Sequence, residues 1–68
     1  MEGVIKTLTP DKGYGFIKDK EAGRDWFFHR SGLVWPIEFE ELYEGDSVSF
    51  TPGNGPRGPR AENVERIG

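Results

Sequence analysis

Residues 26–29 read Trp-Phe-Phe-His, four ring-bearing side chains in succession. On an extended strand, neighbouring side chains point to opposite faces, so Trp26 and Phe28 share one face and Phe27 and His29 share the other. A chain of 68 residues has room for one small core, which a single face of such a strand can fill. One aromatic pair therefore lies inside and the other faces out. An outward pair of rings is the feature that demands an explanation.

The rest of the chain supplies short, punctuated strands. Residues 4–9, Val-Ile-Lys-Thr-Leu-Thr, are β-rich and stop at the turn composition Pro10-Asp11-Lys12-Gly13. Extended character resumes over 14–18, and a polar connection covers 19–25. Residues 46–51 alternate, with Val48 and Phe50 inward, and 61–67 form a last strand. The Gly/Pro-rich stretch from Pro52 to Pro59 reads as a loop. Residues 31–33 and 38–44 each suit at most a short helical turn. These elements predict one all-β domain over 1–68, a small barrel or sandwich. With Trp26 and Phe28 inside beside Ile5, Ile17, Val48 and Phe50, the second strand places Tyr14 and Phe16 outward with Phe27 and His29. Lys6, Lys12 and Lys18 edge that patch. Exposed rings with lysines at the margin suit unpaired bases, the rings meeting base faces and the ammonium groups meeting phosphates.

Charge and composition narrow the function further. The net charge is −3, yet it is unevenly spread: residues 31–50 carry five acidic and no basic groups, while the flanking segments are each slightly basic. The acidic segment would repel phosphate and steer a nucleic acid to the other face. With no Cys, disulfide scaffolds and thiolate metal sites are excluded. No apolar run approaches a membrane span, and Met-Glu-Gly opens no signal peptide, so a cytoplasmic protein without membrane association is expected. Gly53-Asn54-Gly55-Pro56-Arg57-Gly58 spells G-x-G-x-x-G, but no helix can open at its end before Pro59, so it is no dinucleotide fingerprint. The glutamates read as a solvated loop with no second His to join them in a metal site. Catalysis has no support: the one His lies on the aromatic face, and no Ser stands in a nucleophile motif. No cofactor is expected.

Four ordered segments resemble the cold-shock domain family. Lys12-Gly13-Tyr14-Gly15-Phe16-Ile17 is similar to its K-G-[FY]-G-F-I motif, and Asp25-Trp26-Phe27-Phe28-His29 to its D-[VI]-F-[VA]-H motif. Glu44 to Phe50 is similar to E-G-x-x-V-x-F, and Gly58-Pro59, Ala61 and Asn63-Val64 to G-P-x-A-x-N-V. The resemblance implies a five-stranded antiparallel barrel of oligonucleotide-binding type that binds single-stranded RNA and DNA, with RNA-chaperone or antitermination activity. It implies base stacking by Tyr14, Phe16, Phe27 and His29, and polar or backbone contacts from Lys6, Lys12, Asp25 and Arg57.

Several positions depart from the family pattern. Thr7 stands where the family has a stacking Trp, so that subsite contributes little. Arg30 replaces a Phe after His29; a guanidinium also stacks and adds salt dependence. Trp35 or Phe39 is a candidate replacement for the lost ring; the alternative is that both cover the open end of the barrel. Trp26 and Phe28 exceed the usual Val-type residues, and overpacking costs about 1–3 kcal/mol unless other positions shrink. The rival to nucleic-acid binding is a barrel whose apolar patch holds a protein. A monomer is expected, with swapped or edge-paired dimers as the alternative.

Overall fold

The computed structural model describes residues 1–34, 38–56 and 58–67. Five strands, β1 (Glu2–Thr9), β2 (Tyr14–Asp19), β3 (Asp25–His29), β4 (Ser47–Gly55) and β5 (Gly58–Arg66), carry most of the chain, with turns of 3-10 helix at Arg30–Gly32 and Phe39–Glu41. The strands close into a barrel in the order β1-β2-β3-β5-β4, and β4 returns to β1. Four of the contacts are antiparallel. The fifth corrects the expectation of a fully antiparallel barrel: β3 meets β5 in parallel, through the pair Phe27↔Arg60. Ring closure brings these two strands side by side after β4 has reversed the chain, so their shared direction follows from the path and not from any local signal.

The Gly/Pro stretch is also corrected. Strand β4 runs on through Gly55 and β5 begins at Gly58, so most of 52–59 is a hairpin with Gly55 facing Gly58. Gly58, at φ 101°, sits where a side chain would strain the backbone. The G-x-G-x-x-G run spans this strand–turn–strand unit.

Two breaks in register let strict alternation bend around so small a core. In β1 the pairing with β2 shifts between Ile5 and Thr7, so Lys6 occupies a bulge. Ile5 and Leu8, three residues apart, then both face inward: Ile5 is buried and Leu8 packs against the core. The β4–β5 ladder shifts between Ser49 and Thr51, and Asn63 lies opposite that break with φ 51°. Asn tolerates this left-handed conformation better than most residues, and it brings Ala61 and Val64 onto the same inner side.

The core holds Ile5, Ile17, Trp26, Phe28, Phe39, Leu42, Val48, Phe50, Ala61 and Val64. Every inward residue expected from the strand pattern is among them. Phe28, fully buried, gains about 1.5–3 kcal/mol from leaving water. Its room comes from Gly15, its partner on β2. A Cβ on Gly15 would run into the Thr7 carbonyl oxygen and stand 2.9 Å from Phe28 Cε1. The large inward ring is thus matched by a missing side chain across the ladder.

Trp26 is fixed at its polar end. Its Nε1–H donates to Asp19 Oδ2 at 2.8 Å. The other carboxylate oxygen accepts the backbone N–H groups of Ala22 at 2.6 Å and Gly23 at 3.1 Å. Asp19 is 3% exposed, so it ties the β2–β3 turn to the core and satisfies a buried indole at once.

Candidate nucleic-acid interface

The β2–β3 ladder builds the outer face. Tyr14 pairs with His29 and Phe16 with Phe27, alternating with the inward pairs Gly15↔Phe28 and Ile17↔Trp26. All four outward residues are half-buried. Three rings form one cluster: Tyr14 and Phe27 have centroids 5.5 Å apart, Phe16 and Phe27 5.9 Å, and Tyr14 and Phe16 6.4 Å in an edge-to-face contact. These separations are those of favourable aromatic pairs, so each ring is held in place by its neighbours. His29 is oriented by the chain that follows it. Its Nδ1 accepts the Ser31 backbone N–H at 3.2 Å and lies 3.0 Å from Ser31 Oγ. In the neutral ring this leaves the proton on Nε2.

Thr7 lies directly opposite Phe16 on β1 and is exposed. The place where the family motif carries a Trp is therefore at the edge of the cluster and holds only a short hydroxyl side chain.

The charged margin falls as follows. Lys12 is exposed at the turn before β2, and Lys18 is exposed and opposite Asp25 in the ladder. Lys6 projects from the β1 bulge and is ion-paired with Asp25, Nζ to Oδ2 2.8 Å, with both side chains about half exposed. An exposed pair of this kind contributes about 0–1 kcal/mol and yields readily to a stronger partner. Arg30 starts the turn after β3. Its guanidinium lies across Gly13, where an added Cβ would stand 2.8 Å from Nη2. Gly13, at φ 73°, thus provides both the turn conformation and the seat for Arg30.

Phe39 is a correction. It is 4% exposed, with its ring centroid 6.0 Å from that of Phe28, and it belongs to the core. Of the two roles left open for it, this burial selects the cover over the barrel end, and no ring face remains for a base. Trp35 and Arg57 lie outside the described residues.

Arg60 is the residue that sequence reasoning missed. It pairs with Phe27 across the β3–β5 contact and is half-buried. Lys12, Tyr14, Phe27, His29 and Arg60 line a shallow depression of about 440 Å³. A narrower cleft of about 190 Å³ continues from it between Phe27, Arg60 and the Gly/Pro hairpin at Gly55, Pro56, Gly58 and Pro59. A signal for Arg60 was present: with Ala61 inward, the preceding residue must face out. The expected strand began one residue too late to use it.

The acidic segment takes its own position. Glu44 Oε2 accepts the Leu8 N–H at 3.2 Å, Glu41 Oε1 that of Glu38 at 3.2 Å, and Asp46 Oδ2 that of Tyr43 at 3.0 Å. These carboxylates satisfy backbone donors of their own loop and of β1.

A closed five-stranded barrel with a ring cluster on one sheet face and basic groups around it defines a small binding module of the oligonucleotide-binding type. The chain belongs to the cold-shock domain family: the family described as the 'Cold-shock' DNA-binding domain matches residues 1–67. The cold shock-like protein CspJ of Salmonella typhi is 42% identical over 64 residues, which cover 94% of this chain and 90% of that protein. The cold shock-like protein CspI of Escherichia coli K12 is 41% identical over 64 residues, with the same coverage of both chains. The cold shock-like protein CspA of Bordetella pertussis is 40% identical over 63 residues, covering 93% of this chain and 92% of that protein.

Proposed function

We propose that this protein binds single-stranded RNA or DNA by stacking bases on Tyr14, Phe16, Phe27 and His29, and serves as an RNA chaperone or antiterminator. The observation that carries the reading is the ring cluster itself: aromatic side chains spaced 5.5–6.4 Å apart on an outer sheet face. Rings left half-exposed on one sheet face offer flat apolar surface to a planar partner. Bases of any identity present such a partner, at about 1–3 kcal/mol per stacked base. Lys12, Lys18, Lys6 and Arg30 meet phosphates at the margin, and Arg57 and Trp35 are further candidates by their place in the sequence. Releasing Lys6 to a phosphate frees Asp25 to accept from a base.

Affinity drawn mainly from rings has a defined signature. Labelled-oligonucleotide anisotropy should show tight binding to a short oligothymidine, weak binding to a duplex of equal length, and a shallow salt slope reflecting few phosphate contacts. Equal affinity for duplex, or a steep slope, would refute stacking as the source. Anisotropy is preferred to tryptophan emission because Trp26, 7% exposed and bonded to Asp19, faces away from the proposed ligand.

A further inference from the structure

We infer that Arg60 makes the cleft beside Phe27 a guanine-preferring subsite. The inference rests on the single-strand-binding reading above and adds a base preference to it.

Most cations near the ring cluster stand at its edge. Arg60 is different, because the parallel register places it directly beside Phe27, within the sheet face. Its stem lies along Gly55, where an added Cβ would sit 3.4 Å from Arg60 Cδ and 3.9 Å from Nη1. These are ordinary van der Waals separations, so the arginine stem runs alongside Gly55 in close contact with the hairpin. Among the described residues no carboxylate holds it within ion-pairing distance, and its Nε is buried with no acceptor. A buried donor left unmade costs free energy, so the head group is poised toward whatever acceptor enters.

The cleft selects which acceptor that is. Apart from Arg60, its described lining is Phe27 and the glycines and prolines of the β4–β5 hairpin. A phosphate there would give up most of its hydration to a single cation. A base edge would lose little, because its rings lie against Phe27 and the flat proline surfaces. At about 190 Å³ the space suits one planar heterocycle.

A guanidinium offers parallel N–H groups in a rigid fork, which matches two acceptors side by side. Guanine presents such a pair at N7 and O6. Adenine places a donor beside N7, and uracil and thymine set an N–H between their two carbonyls. Cytosine has adjacent acceptors at N3 and O2, but on the smaller ring, which overlaps Phe27 less.

The test is competition anisotropy with an oligothymidine of about seven nucleotides. One central thymidine is replaced in turn by deoxyguanosine, deoxycytidine and 7-deazadeoxyguanosine, which lacks the N7 acceptor. The inference expects guanine to tighten binding about tenfold and the 7-deaza analogue to lose that gain. Arg60→Gln should bring the guanine-to-thymine affinity ratio close to one. Using the ratio removes the general loss from one fewer positive charge, and thermal unfolding checks that the variant is folded. The 7-deaza comparison uses the unaltered protein and so holds regardless of that variant.

Tight oligothymidine binding with no guanine gain would overturn this inference and leave the stacking reading standing. A gain that survives N7 removal, or one seen with cytosine instead, would overturn it in the same way. Failure to bind any of the oligonucleotides would sink both readings together.

Discussion

The two faces of β3 are made from nearly the same chemistry and end in opposite environments. Trp26 and Phe28 are 7% and 0% exposed. Phe27 and His29, one residue out of phase, are half-buried on the outside. Hydrophobicity per residue does not separate Phe27 from Phe28; only strand phase does. The inner ring sits opposite Gly15, which gives it space, whereas the outer ring sits opposite Phe16, which gives it a neighbour. The partner strand thus turns one run of rings into both a core and a surface.

The largest effect should come from the inner face. Phe28→Ala leaves a cavity in the core and should cost about 3–5 kcal/mol in stability. For so small a domain that is enough to abolish cooperative unfolding near physiological temperature. Urea denaturation monitored by circular dichroism measures it. A cost below about 1 kcal/mol would mean that the two faces are not distinct.

The outer face should respond in the other coordinate. Phe27→Ala should keep the fold and lose about 1–3 kcal/mol of oligothymidine binding, because one stacking surface is removed. Both should be measured on the same sample. An unfolded variant would show that Phe27 holds the barrel together. Unchanged binding in a folded one would show that its ring meets no base.

Acid should weaken the inner face through Asp19. The Trp26 N–H and the backbone N–H groups of Ala22, Gly23 and Glu21 hold the Asp19 carboxyl below the ordinary aspartate value, against a burial effect that pushes the other way. A lowered folded-state value means the bond's contribution is fully present above the unfolded aspartate pKa, about 3.9. It drains away as pH falls below that and passes through the folded value. Comparing urea unfolding at neutral pH and in this acid window should show native stability falling on acidification, with a smaller fall in Asp19→Asn. Equal falls would place the acid sensitivity elsewhere. The asparagine amide would also set a donor against one of the N–H groups that Asp19 accepts, so this variant should be less stable at neutral pH.

The phase of β3 was legible because the opposite faces of neighbouring strands already carried Ile5, Ile17, Val48 and Phe50, which left only one consistent interior. The cold-shock motifs pointed the same way. What could not be read were features set by partners distant in sequence. The bulge at Lys6 and the left-handed Asn63 depend on two strands disagreeing in length around a closed ring. The parallel β3–β5 contact depends on how that ring closes. Gly and Pro over 52–59 carry loop composition, yet their backbone pairs as a hairpin because β5 is there to receive it. Phe39 stayed open between core and surface because the apolar spacing of Phe39, Leu42 and Tyr43 suits only a helical turn too short to fix which face is buried. Arg60 escaped because it lies one residue outside the strand that composition suggested.

The smallest expected effect concerns the acidic segment, the counterpart of the basic margin. Its carboxylates are not equivalent probes, since Glu41, Glu44 and Asp46 each accept a backbone N–H, and neutralising them would disturb the loop. Glu40 is exposed and shares a groove with Arg30, Leu33, Glu38 and Phe39. That places its charge beside the end of the platform where Arg30 would meet a phosphate. If the segment steers nucleic acid by repulsion, Glu40→Gln should raise duplex and other nonspecific binding about two- to threefold at low salt, as expected for one exposed charge. The gain should vanish at high salt, where the screening length shrinks to a few ångströms. Oligothymidine affinity should change less than duplex affinity, because stacking does not feel that charge. No change with either ligand at low salt would show that the acidic loop serves only its own backbone.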